Sequence, residues 1–358
     1  MCFLKQIKFV KSENRLNYEP FVGKLQVPSL ENITDTESIN KSINDLLKTR
    51  RPVTSRSRAS SRKSTRTTEN DMKKEKSIKN IKHSRTIEVN NADKLGRIAC
   101  VEGGLLVTDY PNHELKYLKF SNDQIRSINS EYIEKPWCID VSLNDEIIIS
   151  DLVDDKICIF DFQMKLKRKF KTKLRSSIVS IDDTSKDKKY IYASHWLGNK
   201  ITIYDSSTGN EMDFSLTIDS PMYMTFTKKY MYVVSQTDFE SDPSTNKVLK
   251  IKKGSNCIYK IIKNEEFEVV NVISFVNWLS PIGIYLDSEN GNLYTLAYEL
   301  NENNIVSTNR SLFVIDRYGA IIGMTPLIGV GNCNSVKIDD KIIAVSNDSL
   351  IRIFEFQN

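Results

Sequence analysis

The sequence predicts an all-β fold: a six-bladed β-propeller over residues 85–358, preceded by a basic, disordered tail over residues 1–84. Three observations carry this reading. From about residue 94, one pattern of four apolar strands separated by short polar turns recurs six times. Its second strand ends in a small residue and then a corner residue, at Asp109, Asp151, His195, Gln236, Tyr298 and Asn347, so successive copies stand 42, 44, 41, 62 and 49 residues apart. The last copy supplies only three strands, while a spare strand-like piece, 85–90 (RTIEVN), stands before the first.

The tail is set apart by charge. Residues 1–87 hold 20 basic and 9 acidic side chains, a balance of +11, whereas the remainder holds 31 and 37, a balance of −6. Such a block-like division separates an interaction tail from a folded domain. Within it, residues 49–68 (TRRPVTSRSRASSRKSTRTT) have one Val and one Ala as apolar content, too little to offset the entropy of ordering, so disorder is expected. Just before this run, Thr34 and Glu37 have capping-box spacing, and Ile39, Ile43, Leu46 and Leu47 recur on one helical face. That predicts one short amphipathic helix over 36–48, ending before Pro52. Ser60, Ser61 and Ser64 lie among Arg and Lys as a basophilic kinase requires. Each phosphate there adds about −1.5 to −2 charges and would weaken attraction of the tail to RNA, acidic protein or an anionic membrane surface.

The plainest repeat copy begins at Pro136 (PWCIDVSLNDEIIISDLVDDKICIFDFQMKLKRKF), its second strand ending at Ser150 and Asp151 and its third running from Lys156 to Asp161. The copy with the long spacing holds a polar insertion, TDFESDPSTNKVLKIKKGSN, between its second and third strands. The final copy has strands near 335–338, 342–345 and 350–356. If 85–90 becomes the outer strand of that last blade, no sheet is left incomplete, the two ends clasp the ring shut, and few strand edges stay exposed to aggregation.

Composition excludes other classes. With 13 Gly, 9 Pro and 6 Cys in 358 residues, the chain is neither collagenous nor disulfide-stapled. No apolar run approaches the ~20 residues of a membrane-spanning helix, and Lys5 and Lys8 break the opening segment too early for a signal peptide, so a cytoplasmic protein is expected, with a nuclear location also compatible with the basic tail. The cysteines form no CxxC pair and are expected as free thiols in a reducing compartment. No cofactor motif is present.

The copies resemble NHL repeats: a Pro-led inner strand, a second strand ending in a small residue and Asp, a short polar loop, then an Ile-x-Ile/Val-Phe-Asp strand. Pro136 to Asp161 matches almost throughout, and 177–205 and 293–316 match in part. The resemblance covers about 85–358 and implies the six-bladed fold. The segment IKFVKSENRLNYEPFVGKL is faintly similar to the stretch joining coiled coil to propeller in tripartite-motif ubiquitin ligases, which would make the chain a relative lacking the RING and B-box modules. Substrate recognition in a ubiquitin pathway is what that similarity implies. Related propellers also include metal-dependent lyases and hydrolases, and some NHL propellers read single-stranded RNA.

In a propeller, the loop leading into the inner strand and the loop after the second strand open on one face. The corners Asp109, Asp151, His195, Gln236, Tyr298 and Asn347 are therefore expected to ring the mouth of the central channel, with Trp137, Trp196 and Trp278 in the same zone. A mouth of Trp, Tyr and a few polar groups suits recognition of a peptide or a base. The same aromatics would equally anchor loops and plug the channel. Asp109, Asp151 and Asn347 become neighbours if the ring closes and could hold calcium, or the two Asp side chains could cap loop amides. His83, His113 and His195 are too few and too scattered for a lyase-type zinc site, no nucleophile stands with a base at recognisable spacing, and no metal site is assigned. A basic run, Lys165, Lys167, Arg168, Lys169, Lys171, Lys173 and Arg175, falls on an outer strand, where lysines block edge pairing or offer RNA a foothold. The functional expectation is a non-enzymatic module that binds a protein partner at the mouth. An RNA-binding propeller and a metal-dependent hydrolase or lyase are the alternatives.

Overall fold

The computed structural model describes residues 80–357 apart from short stretches, among them 143–145, 173–177, 185–188, 196–197, 242–247, 252–255, 276–278, 301–305 and 331–334. The expected helix over 36–48, the Arg/Ser run and Ser60, Ser61 and Ser64 lie outside the described residues, as do Trp196, Trp278, Lys173 and Arg175. The described chain is all β, with six blades arranged as a propeller, and none of its segments is a helix long and apolar enough to cross a membrane.

β1 spans Asn80–Glu88. Blade 1 is β2 (Leu95–Val101), β3 (Gly104–Asp109), β4 (Glu114–Lys119) and β5 (Gln124–Ile128). Blade 2 is β6 (Pro136–Val141), β7 (Ile147–Asp151), β8 (Lys156–Phe160) and β9 (Leu166–Lys171). Blade 3 is β10 (Ile178–Asp182), β11 (Tyr190–His195), β12 (Lys200–Asp205) and β13 (Glu211–Thr217). Blade 4 starts with β14 (Pro221–Phe226) and β15 (Tyr230–Ser235). The polar insertion then forms a separate hairpin, β16 (Phe239–Ser241) and β17 (Val248–Ile251), before β18 (Cys257–Ile262) and β19 (Val269–Ser274) complete the blade. In blade 5 the inner strand is split into β20 (Leu279–Pro281) and β21 (Tyr285–Leu286), both paired with β22 (Leu293–Leu300), which β23 (Val306–Ile315) and β24 (Ile321–Leu327) follow. The split falls at Gly283, whose φ of 131° few L side chains adopt and whose Cβ would stand 3.1 Å from Val336 of the next blade. Blade 6 is β25 (Ser335–Ile338), β26 (Ile342–Asn347) and β27 (Leu350–Gln357), with β1 as its outermost strand.

All strand pairs are antiparallel, and β1 pairs with β27 with Arg85 opposite Ile353 and Glu88 opposite Leu350. The closing strand therefore lies earlier than the 85–90 read from the sequence, starting at Asn80 and ending before Asn90, which sits in a turn. His83 belongs to this strand, its ring edge-on to Phe354 at 5.3 Å.

The burial pattern explains why each strand has its composition. A second strand lies mid-blade with another blade on either side, so IIISD and GLLVTD are buried at every position and read as continuous apolar runs. The outer strand LKRKFK alternates half-buried and exposed, Leu166 packing toward blade 1 and Phe170 toward blade 3. Six apolar clusters form the core. They fill the spaces between blades 1 and 2, 2 and 3, 3 and 4, 4 and 5, 5 and 6, and, closing the ring, 6 and 1. Cys138 and Cys158 are buried thiols within these layers, Cys257 is buried as well, Cys100 is half-buried, and none of the four is in a disulfide.

Candidate functional site

Antiparallel pairing brings the start of each inner strand beside the end of the second, as in Pro136 opposite Asp151 and Ser280 opposite Tyr298, so the corner residues share one face. Their side chains, however, are largely taken up inside the blades. The Asp151 carboxylate is 2% exposed and accepts hydrogen bonds from the backbone N–H groups of Glu134 (2.6 Å), Lys135 (3.2 Å) and Val153 (2.9 Å), with Lys156 Nζ 3.5 Å away. Asp109 is fully buried, bonded by Asn112 Nδ2 at 3.1 and 3.2 Å and 3.7 Å from Lys116 Nζ. His195 is buried with Nε2 3.2 Å from Thr202 Oγ1. Asp109, Asp151 and His195 thus serve as loop and blade anchors in this structure, the capping alternative in the case of the two Asp side chains. A polar residue after a strand looks solvent-facing in sequence, but here it serves amides that the loop would otherwise bury unpaired.

On that face Asn347 and Gln236 are half-buried, Asn347 donating to the Val330 carbonyl at 3.4 Å and the Gln236 backbone N–H to Ser220 at 3.1 Å. Trp137 is half-buried, its ring edge-on to Tyr110 at 5.3 Å, with Lys135 Nζ 5.8 Å from the Tyr110 ring. Of the groups read as a candidate calcium set, Asp109 and Asp151 each face a lysine ammonium, and among the described residues no group of three His, Cys, Asp or Glu is placed to hold a metal.

Among the described residues, inner-strand side chains line the channel. The Arg97 guanidinium lies 4.2 Å from the Tyr223 ring centroid, and Lys337 Nζ pairs with Asp140 Oδ1 at 3.1 Å, while Asp140 Oδ2 accepts the Ile181 N–H at 3.0 Å. The negative charge of Asp140 holds the Lys337 ammonium well above the usual lysine range against its own burial. What remains is a space of about 60 Å³. That is room for a couple of waters.

Of the basic run, Lys167, Arg168, Lys169 and Lys171 sit on β9, the outer strand of blade 2, and are partly neutralised there. Buried Glu146 receives Lys167 (3.3 Å), Arg168 (3.1 Å) and Lys189 (3.3 Å). Burial alone would raise its pKa, but these cations outweigh it and hold Glu146 below the ordinary carboxylate value. Lys169 lies over the Tyr132 ring at 5.6 Å, and Lys167, Lys169 and Lys171 are exposed along this strand.

A larger recess lies on the opposite face, between blades 4 and 5. Its volume is about 840 Å³. Blade 4 supplies Phe226, Tyr230, Tyr232 and Lys260, and blade 5 supplies Asp287, Arg317 and Tyr318. Lys228, in the turn between β14 and β15, stands at its lip. Lys260 Nζ is 4.4 Å from the Tyr230 centroid and 5.6 Å from that of Tyr232, and the Arg317 guanidinium is 4.9 Å from that of Tyr318. At the blade 3 end, Lys263 is paired with Asp182 (2.6 Å) and Thr184 (2.9 Å), and Phe226 packs on Tyr192 with centroids 4.7 Å apart. Sequence reading passed over these residues because they are scattered over the third strand of blade 4 at Lys260, the turn before β24 at Arg317 and Tyr318, and a first-to-second-strand turn (TFTKKYMY), where charged residues resemble solvated positions. The available signal was the Tyr230 and Tyr232 pair at alternate positions beside that turn.

No family description and no curated protein sequence matches the chain. Solved structures do match in shape. The virginiamycin B lyase of Staphylococcus aureus superimposes with a TM-score of 0.51 at 12% identity over 78% of this chain and 100% of that one. A streptogramin B lyase structure gives 0.50 at 12% identity over 76% and 97%. Hydrazine synthase of Kuenenia stuttgartiensis gives 0.50 at 11% identity over 72% and 74%. The fold is a β-propeller. At such identities the likeness shows the fold alone.

Proposed function

We propose that the chain is a non-enzymatic interaction module, a propeller that captures a segment of a partner protein. The observation that carries this reading is the recess between blades 4 and 5, about 840 Å³ walled by aromatic rings and cations. Aromatic and cationic side chains at a concave, partly desolvated surface are the groups from which binding hot spots are made. The NHL-like blade pattern and the tripartite-motif-like N-terminal stretch add the pathway to the proposal: recognition of a protein substrate for ubiquitination by a separate ligase.

The test is proximity labelling with the full-length protein, comparing wild type, a recess variant (Tyr230→Ala with Arg317→Gln) and a variant of the opposite face (Trp137→Ala). Neighbours lost with the recess variant and kept with Trp137→Ala support the reading. Loss with Trp137→Ala alone moves recognition to the mouth, and loss with neither removes the reading.

A further inference from the structure

We infer that the recess takes an acidic segment of the partner, with carboxylate side chains set against Lys260 and Arg317. This rests on the binding reading above and gives its chemistry.

Charge comes first. The propeller carries more acidic than basic side chains, 37 against 31 from residue 88 onward, yet the recess gathers Lys228, Lys260 and Arg317. None of the three has an ion-pair partner among the described residues, whereas Lys263 a short way off is held by Asp182 at 2.6 Å. The one acid in the lining, Asp287, is 4% exposed and accepts from Asn290 Nδ2 at 2.6 Å within its own loop. Unpaired cations concentrated against the sign of the domain attract an anion and repel most of the domain's own surface.

Geometry then separates the classes of anion. A nucleic acid entering such a place would stack bases on the rings. Here a face of each ring is already held by a cation: Tyr230 and Tyr232 by Lys260 at 4.4 and 5.6 Å, and Tyr318 by Arg317 at 4.9 Å. A carboxylate needs no ring face. It needs a cation already held in place, which lowers the rotamer entropy lost on binding.

Two other occupants fail on charge. A second copy docking on this face about a two-fold axis would bring Lys228, Lys260 and Arg317 against themselves. The chain's own tail carries +11 and would be repelled. The volume accommodates several side chains rather than one, which suits a peptide segment.

The probe is fluorescein-labelled octaglutamate, with octaglutamine and oligouridylate as controls, titrated by anisotropy into the full-length protein at about 0.15 M salt. Three proteins are compared: wild type, Lys260→Gln with Arg317→Gln, and a tail variant with Arg56, Arg58, Arg62 and Lys63 changed to Gln. The expected result is that octaglutamate affinity falls about tenfold in the recess variant and by less in the tail variant, at unchanged melting temperature, with octaglutamine binding none of them. If the recess variant loses stability, Lys228→Gln at the lip is the second probe and lowers affinity in the same direction. Octaglutamate affinity equal in wild type and both recess variants overturns the inference. So does oligouridylate binding that the recess variant abolishes while octaglutamate does not bind. If recess substitutions remove labelled neighbours but octaglutamate binds no better than octaglutamine, the acidic class fails and the binding reading stands. If neither responds, both fail.

Discussion

The hydroxyl of Ser346 donates to the carbonyl oxygen of Gly96 at 2.9 Å, joining the last blade to the first across 250 residues of sequence. The same device recurs around the ring: Thr108 donates to the Trp137 carbonyl at 3.3 Å and Ser194 to that of Pro221 at 2.8 Å, each reaching the inner strand of the following blade. In these three blades the small hydroxyl residue before the corner is thus an inter-blade stitch. A buried hydroxyl whose partner carbonyl lies on the next blade contributes about 1 kcal/mol, and its loss leaves that carbonyl without a partner. Ser346→Ala is expected to lower stability by about 1–2 kcal/mol in urea unfolding, with Ser346→Thr closer to wild type. Equal midpoints for Ser346→Ala and wild type would show that closure does not draw on this bond.

Ring closure also rests on β1. Ile87 is 7% exposed and packs in the layer between blades 6 and 1, while Thr86 beside it is exposed. Ile87→Ala should cost about 2–4 kcal/mol as a cavity between blades. Thr86→Ala should stay within about 0.5 kcal/mol. A small effect at Ile87 would mean the clasp adds little to the folded ring.

These two relationships show what sequence could and could not convey. The repeat was legible because second strands are buried on both faces and so are apolar, as in Ile147 to Ile149, and because a small residue ends them, a hydroxyl stitch at Thr108, Ser194 and Ser346. The start of β1 was not, since Lys82, His83 and Ser84 are exposed positions that interrupt any apolar alternation between Ile81 and Ile87. The recess was hidden for another reason. Thr184, Tyr230 and Arg317 come from three blades and meet only when the ring forms. At the corners, Asp151 looked like a surface group because the loop amides it serves, Glu134 and Lys135, precede it by a whole hairpin.

Glu146 gives a pH signature. Its folded pKa is depressed by Lys189, Lys167 and Arg168, so its contribution is present above the unfolded carboxylate pKa of about 4.3 and is lost as pH falls through the lower folded value. Glu146→Gln should therefore be destabilised at pH 7, with the gap to wild type narrowing below about pH 4. Urea unfolding of both proteins across that window checks it. A gap independent of pH would assign the loss to packing instead.

The buried thiols should be inert. Burial pushes the Cys158 thiol up to about 11 and raises Cys138 as well, so little thiolate exists near neutrality to act as a nucleophile. Alkylation at pH 8 followed by site-resolved mass spectrometry should leave Cys138 and Cys158 unmodified in native protein and label both in urea. Rapid native labelling of either would mean that its blade opens locally.

Asp151 offers the sharpest separation between a structural anchor and a metal ligand. Its two oxygens accept three backbone N–H groups, from Glu134 and Lys135 just ahead of β6 and from Val153 in its own turn, so one side chain ties the approach to Trp137 to the end of β7. Asp151→Ala leaves these donors to water or to nothing, and the expected loss is about 2–3 kcal/mol. Asp151→Asn keeps one acceptor oxygen and should lose less. Because Trp137 follows the anchored loop, its fluorescence should shift in Asp151→Ala while the far-ultraviolet spectrum of the sheets is retained. A calcium ligand would behave differently: added calcium would raise the wild-type melting temperature, a chelator would lower it, and both effects would vanish in Asp151→Asn. With Lys156 Nζ 3.5 Å from the carboxylate, the expected result is no response of wild type to calcium or chelator. A calcium-dependent rise abolished by Asp151→Asn would reassign this corner from anchor to metal site.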